Sequence, residues 1–407
     1  MTKRIRQGAA IAVAGLLATA TACTGQQSSP PGFAGRHHSA ERAANGAGAG
    51  GAENARTFTL LASGDILPHS SIIDRAAVDA GGGGYDFRPM LQGAAPAVRG
   101  ADLAICHMET VYGQDGGPYT GYPSFKSPPE VATALRATGY DSCSTASNHT
   151  LDDGAQGIGR TLDALDRVGI AHAGSARSAK EASQPTLLRA GKGKHAAKVA
   201  HLAYTYGTND NALPAGQPWA VDLIDKERIV ADSRAARKAG ADVVVVSLHW
   251  GTEWQDAPDD VQLALGRELT ASGTGGRPDI DLILGTHAHV PQAYEKVNGT
   301  WIVYGMGNQV AGAMVNHEGA QEPRGNESSM GRFTFEPPAK PGQRWAVRKA
   351  EFLPQWFDPE AGRVVGLGAE GPVPAGGLDD RLREIRDRIQ GVVLSRGAAE
   401  DGLVAGN

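Results

Sequence analysis

Seven side chains that commonly bind metals or transfer protons each follow a stretch of apolar residues in this sequence. They are Asp65, Glu109, Asn148, His149, His249, His287 and His289. His287 and His289 are two residues apart, and on an extended segment residues i and i+2 point to the same side. Two imidazoles can therefore face a single cleft, and the other side chains would join them if their strands end at the same edge of a sheet.

The chemistry of this set is that of oxygen and imidazole ligands, without a thiolate. Such ligands suit Mn, Fe, Zn or Ni better than a thiolate-rich zinc site or an iron–sulfur cluster. If one carboxylate bridges, six ligands suffice for two divalent ions about 3.5–4 Å apart, which lower the pKa of water and provide a hydroxide nucleophile at neutral pH. The pattern therefore predicts a two-metal site with hydrolytic chemistry.

Strands and helices alternate in the part of the chain that contains these residues. The pattern predicts strands over 57–65, 101–109, 140–148, 196–205, 241–250, 279–289 and 300–308, and helices over 128–139, 157–169, 225–240 and 259–273. This alternation is typical of an α/β domain, in which ligands bind beyond the carboxyl ends of the strands. The unbroken apolar run at 243–246 indicates a strand that is covered on both faces.

The last part of the chain has a different texture. Residues 332–338 and 344–357 alternate between apolar and polar types and are predicted to form antiparallel strands. One face of an amphipathic helix is predicted from the spacing of Leu378, Leu382, Ile385, Ile389 and Val392. We therefore expect one large α/β domain over 57–357, followed by a C-terminal amphipathic helix and tail over 358–407.

The N-terminus has the features of a bacterial export signal. Three basic residues lie within the first six, an apolar stretch spans 8–22, and small residues precede Cys23. This arrangement resembles a lipoprotein signal, so we expect a signal peptide over 1–22, a lipidated Cys23 and a flexible Gly- and Ala-rich linker up to residue 56. Ordinary secretion without lipidation is the alternative. Lipid chains would tether the protein to a membrane surface on the extracytoplasmic side.

Composition narrows the possible classes of protein. The 407 residues include 39 Lys and Arg and 44 Asp and Glu, for a net charge of −5, and they show no basic stripe, so nucleic-acid binding is not expected. A hydrophobic content of 41% excludes a disordered chain. Cys106 and Cys143 both lie on predicted strands. An exported protein could join them in a disulfide, but we favour buried free thiols, which pack as small apolar groups.

The strand-end residues occur in stretches that resemble the poly-γ-glutamate capsule synthesis protein family, CapA. The stretches are LLASGDIL (60–67), ADLAICHMET (101–110), ATGYDSCSTASNHTLDDG (137–154), SLHWGTEW (247–254) and GTHAHVPQAYEKVNGTWIVYGMGN (285–308), and the resemblance covers roughly 57–315. It implies a calcineurin-like metallophosphatase-type fold, an α+β sandwich with a metal site at the strand ends.

The resemblance also implies roles for individual residues. Metal-binding positions fall on Asp65, Glu109, Asn148, His249, His287 and His289. Glu109 would be the bridging carboxylate, His149 the proton donor, and Asp152 the residue that orients His149. Asn308 matches a turn near the site.

The chain also departs from the family pattern. His107-Met108-Glu109 stands where the family usually has Asn-Leu-Glu, and Ser147 stands where a second Asn is frequent. Asp65 is followed by Ile66 and Leu67, so the Asp-x-His opening of ordinary metallophosphatases is absent.

These observations lead to one main functional hypothesis and two alternatives. The main hypothesis is a metal-dependent hydrolase, a phosphoesterase or an amide-cleaving relative, linked to capsule or poly-γ-glutamate biosynthesis in the cell envelope. The first alternative is a non-catalytic accessory lipoprotein that helps a polymer synthase complex assemble or export an anionic polymer. The second is a metal-dependent peptide epimerase. The expected partners are an envelope polymer or peptide substrate and the membrane, through the lipid anchor.

Overall fold

The computed structural model describes residues 57–191, 196–339, 343–368 and 379–406. The predicted signal peptide at 1–22, Cys23, the linker up to residue 56, and Leu378 of the C-terminal helix lie outside these ranges. Among the residues that are described, no helix combines the length and apolar character that crossing a bilayer requires.

Strands and helices follow one another as an α/β protein requires. The strands are β1 (Phe58–Ile66), β2 (Leu103–Met108), β3 (Ser142–Ser144), β4 (Ala171–Ala173), β5 (Thr186–Ala190), β6 (Ala197–Thr205), β7 (Val243–His249), β8 (Gly273–Thr274), β9 (Arg277–Pro278), β10 (Leu282–Thr286), β11 (Tyr294–Val297), β12 (Thr300–Val303), β13 (Asn308–Val310), β14 (Glu327–Glu336), β15 (Ala346–Asp358), β16 (Arg363–Gly366) and β17 (Leu403–Ala405). The helices are α1 (Ser70–Asp79), α2 (Ala95–Gly100), α3 (Glu130–Thr138), α4 (Gly154–Val168), α5 (Ala179–Ala182), α6 (Lys226–Lys238), α7 (Asp260–Ala271) and α8 (Asp380–Val393).

Two large sheets organise these elements. The first has the order β16-β15-β14-β1-β2-β3-β4, with β13 paired to β1 and β17 paired to β15. The second has the order β11-β12-β10-β7-β6-β5. The strands β1 to β4 run parallel to one another, and so do β6, β7, β10 and β12. The carboxyl ends of each parallel group therefore lie at one edge of its sheet.

The sheets stack on one another, with helices on their outer faces. Leu60 of β1 and Val243 of β7 belong to one hydrophobic cluster between the sheets. Leu61 points away into a second cluster with α1 to α4, and Val244 points into a third with α6 and α7. Successive residues of a strand face opposite sides, so both faces of these central strands are buried. This confirms the predicted α/β sandwich and the doubly covered strand at 243–246.

Some predicted element bounds were too long. The strand expected over 140–148 is only the three residues of β3, and the strand expected over 279–289 ends at Thr286. His287 and His289 instead lie in a turn with φ angles of 94° and 60°. The prediction that His287 and His289 lie two apart on an extended segment is therefore wrong. Both side chains nevertheless reach the site described below.

The C-terminal helix is α8, and it packs on the same core as the sheets. Leu382, Ile385, Ile389 and Val393 are buried in the cluster that lies between the sheets. Val393 rather than the predicted Val392 completes this face, because it follows Ile389 by four residues and so lies one helical turn further along the same side.

The two cysteines of the folded region form a disulfide. Cys106 of β2 and Cys143 of β3 are paired in the parallel register, with their Cα atoms 4.5 Å apart, and their sulfur atoms are bonded. Our preference for free thiols was wrong. The disulfide forms because the register places the two side chains directly opposite each other on adjacent strands, within bonding reach. Sequence alone does not give that register.

Candidate metal centre

The carboxyl ends of the central strands of both sheets converge on one buried group of side chains. Asp65 lies near the end of β1, Glu109 directly follows β2, and His249 is the last residue of β7. Asn148 lies in the loop after β3, and the turn after β10 contributes His287 and His289. All six are at most 5% exposed. The sandwich thus brings together the six residues expected to bind metal.

Distances between these side chains connect the two sheets. The Nε2 atom of His249 lies 2.9 Å from Oδ1 of Asn148 and 3.8 Å from Oε1 of Glu109. The Nδ1 atom of His289 lies 3.7 Å from Oδ2 of Asp65. The ring of His287 lies between the other two imidazoles, with its centroid 4.7 Å from that of His249 and 5.9 Å from that of His289.

Several polar atoms of the site have no hydrogen-bond partner. These buried atoms are both carboxylate oxygens of Asp65, both of Glu109, Nε2 of His107 and Nδ1 of His287. A buried polar atom without a partner costs free energy, and ionised carboxylates are buried only where they are paired or coordinate a metal. The donor set therefore fits a divalent cation.

The raised pKa values of the carboxyl groups also indicate that no positive charge among the described residues compensates them. Burial raises the pKa of Asp65 to about 8, against a smaller opposite effect of the His287 backbone N–H. Burial, the nearby Asp65 carboxyl group and that of Glu253 raise the pKa of Glu109 well above its usual value. Both groups favour the protonated form until a cation compensates their charge.

Burial also keeps the imidazoles neutral. It lowers the pKa of His107 to about 3, and it lowers the pKa values of His249, His287 and His289, with further contributions from neighbouring histidines. Neutral imidazole is the form that binds a metal, so these residues are ready to act as ligands at neutral pH.

A close approach between chain segments places Asn308 beside the site. The Asp65 backbone N–H donates to the carbonyl of Gly307 at 3.0 Å, and a Cβ atom on Gly64 would lie 1.8 Å from the same oxygen. Only glycine at position 64 allows this contact. Asn308 donates from Nδ2 to the Gly325 carbonyl at 2.8 Å, so its Oδ1 accepts from Nδ1 of His289 at 3.0 Å. Asn308 thus orients His289 and leaves its Nε2 free.

His149 and Asp152, for which the resemblance implies proton transfer, are in hydrogen-bond contact. Nδ1 of His149 lies 2.7 Å from Oδ2 of Asp152, and the backbone N–H of Phe125 donates to the same oxygen at 2.6 Å. The Phe125 ring packs edge-on against the imidazole, with 4.7 Å between centroids. His149 directly follows Asn148, whose Oδ1 lies 2.9 Å from Nε2 of His249, so this pair lies beside the candidate metal ligands.

Two further ligand-type residues lie in the site and were not among the six predicted metal ligands. Oε1 of Glu253 is 4.0 Å from Nε2 of His289, and Nε2 of His107 is 3.8 Å from Oδ1 of Asp65. The sequence contained a signal for each. Glu253 follows His249 by four residues in the same loop, and His107 precedes Glu109 by two, which places both side chains on one side of an extended segment.

Three groups of ligand-type residues have atoms that all lie within 4.8 Å of one another. They are Asp65 with His107 and His249, Asp65 with Glu109 and His289, and Glu253 with His287 and His289. Asp65 belongs to two of these groups and His289 to two. The groups are therefore continuous, as expected where neighbouring ions share ligands.

Aromatic side chains line the site. The ring of Tyr206, which is 50% exposed, lies 4.5 Å from that of His287, and the ring of Trp254 lies 5.3 Å from that of His289. Trp250 is buried and donates its indole N–H to the Tyr304 carbonyl at 2.9 Å. Trp254 therefore contributes to the wall of the cleft, whereas Trp250 packs in the core.

Comparison with known proteins gives a consistent set of relatives. The family model described as bacterial capsule synthesis protein PGA_cap matches residues 59–313, more than half of the chain. A probable polyglutamine synthesis accessory protein of Mycobacterium tuberculosis is 29% identical over 51% of this chain and 55% of its own length. The PGA biosynthesis protein CapA of Bacillus subtilis is 29% identical over 44% of this chain and 45% of its own. The chain thus matches only about half of each relative.

Two solved structures have a partly similar chain path. A calcineurin-like phosphoesterase, YfkN from Bacillus subtilis, has a TM-score of 0.43 and 14% identity, covering 82% of this chain and 96% of its own. A 5'-nucleotidase precursor from Thermus thermophilus has a TM-score of 0.41 and 16% identity, covering 83% of this chain and 59% of its own.

Proposed function

Because this chain belongs to the bacterial capsule synthesis protein PGA_cap family, we propose that it is a metal-dependent hydrolase of the cell envelope that serves capsule biosynthesis. The observation that carries the proposal is the set of buried, unpartnered carboxylate oxygens on Asp65 and Glu109, which face neutral imidazoles from two sheets. This set fits two divalent transition ions better than any internal hydrogen-bonding scheme, because carboxylate and imidazole groups are their ordinary ligands.

The residues divide into those that hold metal and those that move protons. Asp65, Asn148, His249, His287 and His289 would hold the ions. Glu109 would bridge them, as the family resemblance implies, because it lies near His249 of the second sheet and in one group with Asp65 of the first; Asp65, which belongs to two groups, is a further shared ligand. When bound, such ions lower the pKa of water and stabilise negative charge on the scissile group of an ester or amide.

Proton transfer is assigned to the pair formed by His149 and Asp152. The Asp152 carboxylate accepts from Nδ1 of His149 and so stabilises the protonated ring. The Nε2 atom then carries the proton that the leaving group needs. Because Asp152 is itself held by the Phe125 N–H, the imidazole keeps its orientation during the reaction.

Location and partners are part of the same proposal. The basic start, the apolar segment at 8–22 and Cys23 support export and attachment to the membrane by lipid. Removal of 1–22 takes away three basic residues and changes the net charge from −5 to −8. An acidic envelope polymer would then be bound through the local positive charge of the metal centre, within or beside a polymer synthase complex.

A second candidate is a non-catalytic role, and the name of the mycobacterial relative, an accessory protein, favours it. In that case the metal site would bind polymer without hydrolysing it. Peptide epimerisation at a Cα atom is a variant of the enzymatic reading and would incorporate deuterium from heavy water into the product.

One experiment separates these functions. The purified full-length chain is assayed for bound metal and for hydrolysis of a generic phosphoester and of γ-linked glutamate peptides, with His149→Ala as the matched variant. Hydrolysis by the wild-type chain that His149→Ala loses while keeping its metal supports the hydrolase. Bound metal with no turnover on either substrate favours the accessory role. A chain that binds no divalent metal at all contradicts the proposed metal centre.

A further inference from the structure

The strand that supplies Asp65 supplies no second ligand near it. The residues after Asp65 are Ile66 and Leu67, both 2% exposed and packed in hydrophobic clusters. The space beside the Asp65 carboxylate is instead occupied by an imidazole from the neighbouring strand. In the parallel register of β1 and β2, Asp65 pairs with His107, and Nε2 of His107 lies 3.8 Å from Oδ1 of Asp65.

One nitrogen of His107 is occupied by a serine hydroxyl group. The Ser144 oxygen lies 2.7 Å from Nδ1 of His107 and 3.4 Å from the carbonyl oxygen of Cys106. When the Ser144 hydroxyl donates to that carbonyl, its oxygen accepts from Nδ1–H of the neutral ring. Nε2 is left with a lone pair and without a partner, in a residue that is 1% exposed.

Burial alone does not explain this arrangement, as another histidine of the same sandwich shows. His201 is 0% exposed, and its two ring nitrogens lie 2.9 Å and 3.0 Å from the hydroxyl groups of Ser142 and Ser247. Both nitrogens of His201 thus contact serine hydroxyl groups, and neither faces a ligand-type residue in the described part of the chain. His107 has one nitrogen occupied and directs the other toward Asp65, with its ring stacked on that of His249 at 4.8 Å.

We propose that Nε2 of His107 is a metal ligand, which it shares with Asp65 and His249, so that this chain offers four imidazoles to its metal centre. The inference rests on the metal centre of the proposed function. Ligands bound at about 2.1 Å to one ion lie about 3–4 Å apart, and the ligand atoms of these three residues lie within 4.8 Å of one another. The Ser144 hydroxyl provides the second hydrogen bond that orients a metal-bound imidazole.

The test compares two buried histidines in the full-length chain. His107→Gln and His201→Gln are loaded with Zn²⁺ or Mn²⁺, and the affinity is measured by competition with a chromophoric chelator, together with metal per chain by elemental analysis. We expect His107→Gln to bind at least about 10-fold more weakly, and His201→Gln to bind as the wild-type chain does. Wild-type affinity in His107→Gln would overturn the inference while leaving the metal centre intact.

A measurement on the unaltered chain covers the case in which His107→Gln fails to fold. In the Co²⁺-loaded wild-type chain, each metal-bound imidazole contributes a strongly shifted exchangeable N–H signal to the proton NMR spectrum. We expect signals from His107, His249, His287 and His289, and the His107 proton should exchange faster in Ser144→Ala, which removes its acceptor. Signals from only three imidazoles would contradict the assignment, and a wild-type chain that binds no Co²⁺ would overturn it together with the proposed function.

Discussion

At the residue scale, the candidate metal centre combines carboxyl groups that hold their protons with imidazoles that stay neutral. A metal ion must therefore displace protons from the carboxyl groups, which becomes easier as the pH rises. Asp65 and Glu109 are buried without partners, and the imidazoles beside them are neutral. The groups differ in what they would contribute to metal binding. Glu109 lies between ligands of both sheets, and Asn308 holds His289 in its orientation.

Removal of single ligands should have graded effects on metal content. We expect Glu109→Ala to lose more bound metal than His289→Ala, because a bridging carboxylate contributes to both ions and an imidazole to one. Elemental analysis after gel filtration measures this. The exposed Glu318→Gln serves as the carboxylate control. Equal metal in Glu109→Ala and in the control would contradict the bridging role.

His149 should behave differently from the ligands. We expect His149→Ala to keep most of its metal and to lose phosphoester turnover by about 10²–10⁴-fold, the usual contribution of general acid catalysis. Asp152→Asn should lose less, because the ring remains and only its stabilisation weakens. Turnover and metal content measured on the same preparations decide the matter. A His149→Ala chain that loses its metal would identify His149 as a ligand.

The raised pKa of Asp65 predicts a pH dependence with a definite sign. Burial raises the Asp65 pKa from 3.8 to about 8, so its contribution to the stability of the metal-free chain is present below pH 4 and is lost as the pH rises toward 8. A divalent metal reverses this loss, because it stabilises the ionised carboxylate. The melting temperature gained on adding metal should therefore increase with pH over this range. A gain that is constant with pH would contradict the prediction.

At the scale of elements, the positions of the ligands follow from strand ends and from the turns after them. Parallel strands place Asp65, Glu109 and His249 at their carboxyl ends, and the disulfide joins β2 and β3 just below Glu109. The turn after β10 holds His287 and His289 with left-handed backbone angles. Side-chain types this bulky rarely adopt such angles, and where they do the site is often functional.

The disulfide should contribute measurably to stability. It closes a segment of 37 residues that contains α3, and a loop of that length corresponds to about 2–4 kcal/mol of stabilisation. We expect the free energy of unfolding of Cys106→Ala/Cys143→Ala to be lower by this amount. Denaturant unfolding of the refolded chain measures it. Peptide mapping without reduction should recover a linked pair of peptides. Two free thiols on mapping would contradict the assignment.

At the scale of the whole molecule, the site exists because two sheets stack with their strand ends on one side. One hydrophobic cluster extends from Phe58 of β1 through Val243 of β7 to Ile389 of α8. This shared core holds the sheet that carries Asp65 against the sheet that carries His249, so its packing fixes the distance between the two sides of the site. The family model ends at residue 313, but β14, β15 and α8 lie beyond that point and complete the shared core.

The proposed membrane attachment depends on Cys23. We expect Cys23→Ala to move the protein from the membrane fraction to the soluble fraction of its host, because the lipid on that residue would supply the anchor. Cell fractionation followed by a high-salt wash measures this, with Ser29→Ala as a control substitution that leaves the disulfide intact. A Cys23→Ala protein that remains with the membrane after washing would contradict the lipoprotein prediction.

The sequence by itself determined the α/β class and the types of residue at the site. Local periodicity specifies strands and helices, and polar residues that follow buried strands must lie at the edge of a sheet. Asp65, Glu109 and His249 could therefore be named without coordinates. The resemblance to CapA added the roles of Asn148, His149 and Asp152, and the structure places all of these beside one another.

Only the tertiary structure decided what depends on register and on the approach of the two sheets. The pairing of Cys106 with Cys143 and the contact of His107 with Asp65 both require the register between neighbouring strands. The contact of His249 with Glu109 requires the second sheet to meet the first. The position of Glu253 near His289 requires β7 and β10 to be neighbours in the second sheet. These contacts join residues that are distant in sequence. Packing in the shared core fixes how the sheets align, and local sequence patterns do not specify that alignment.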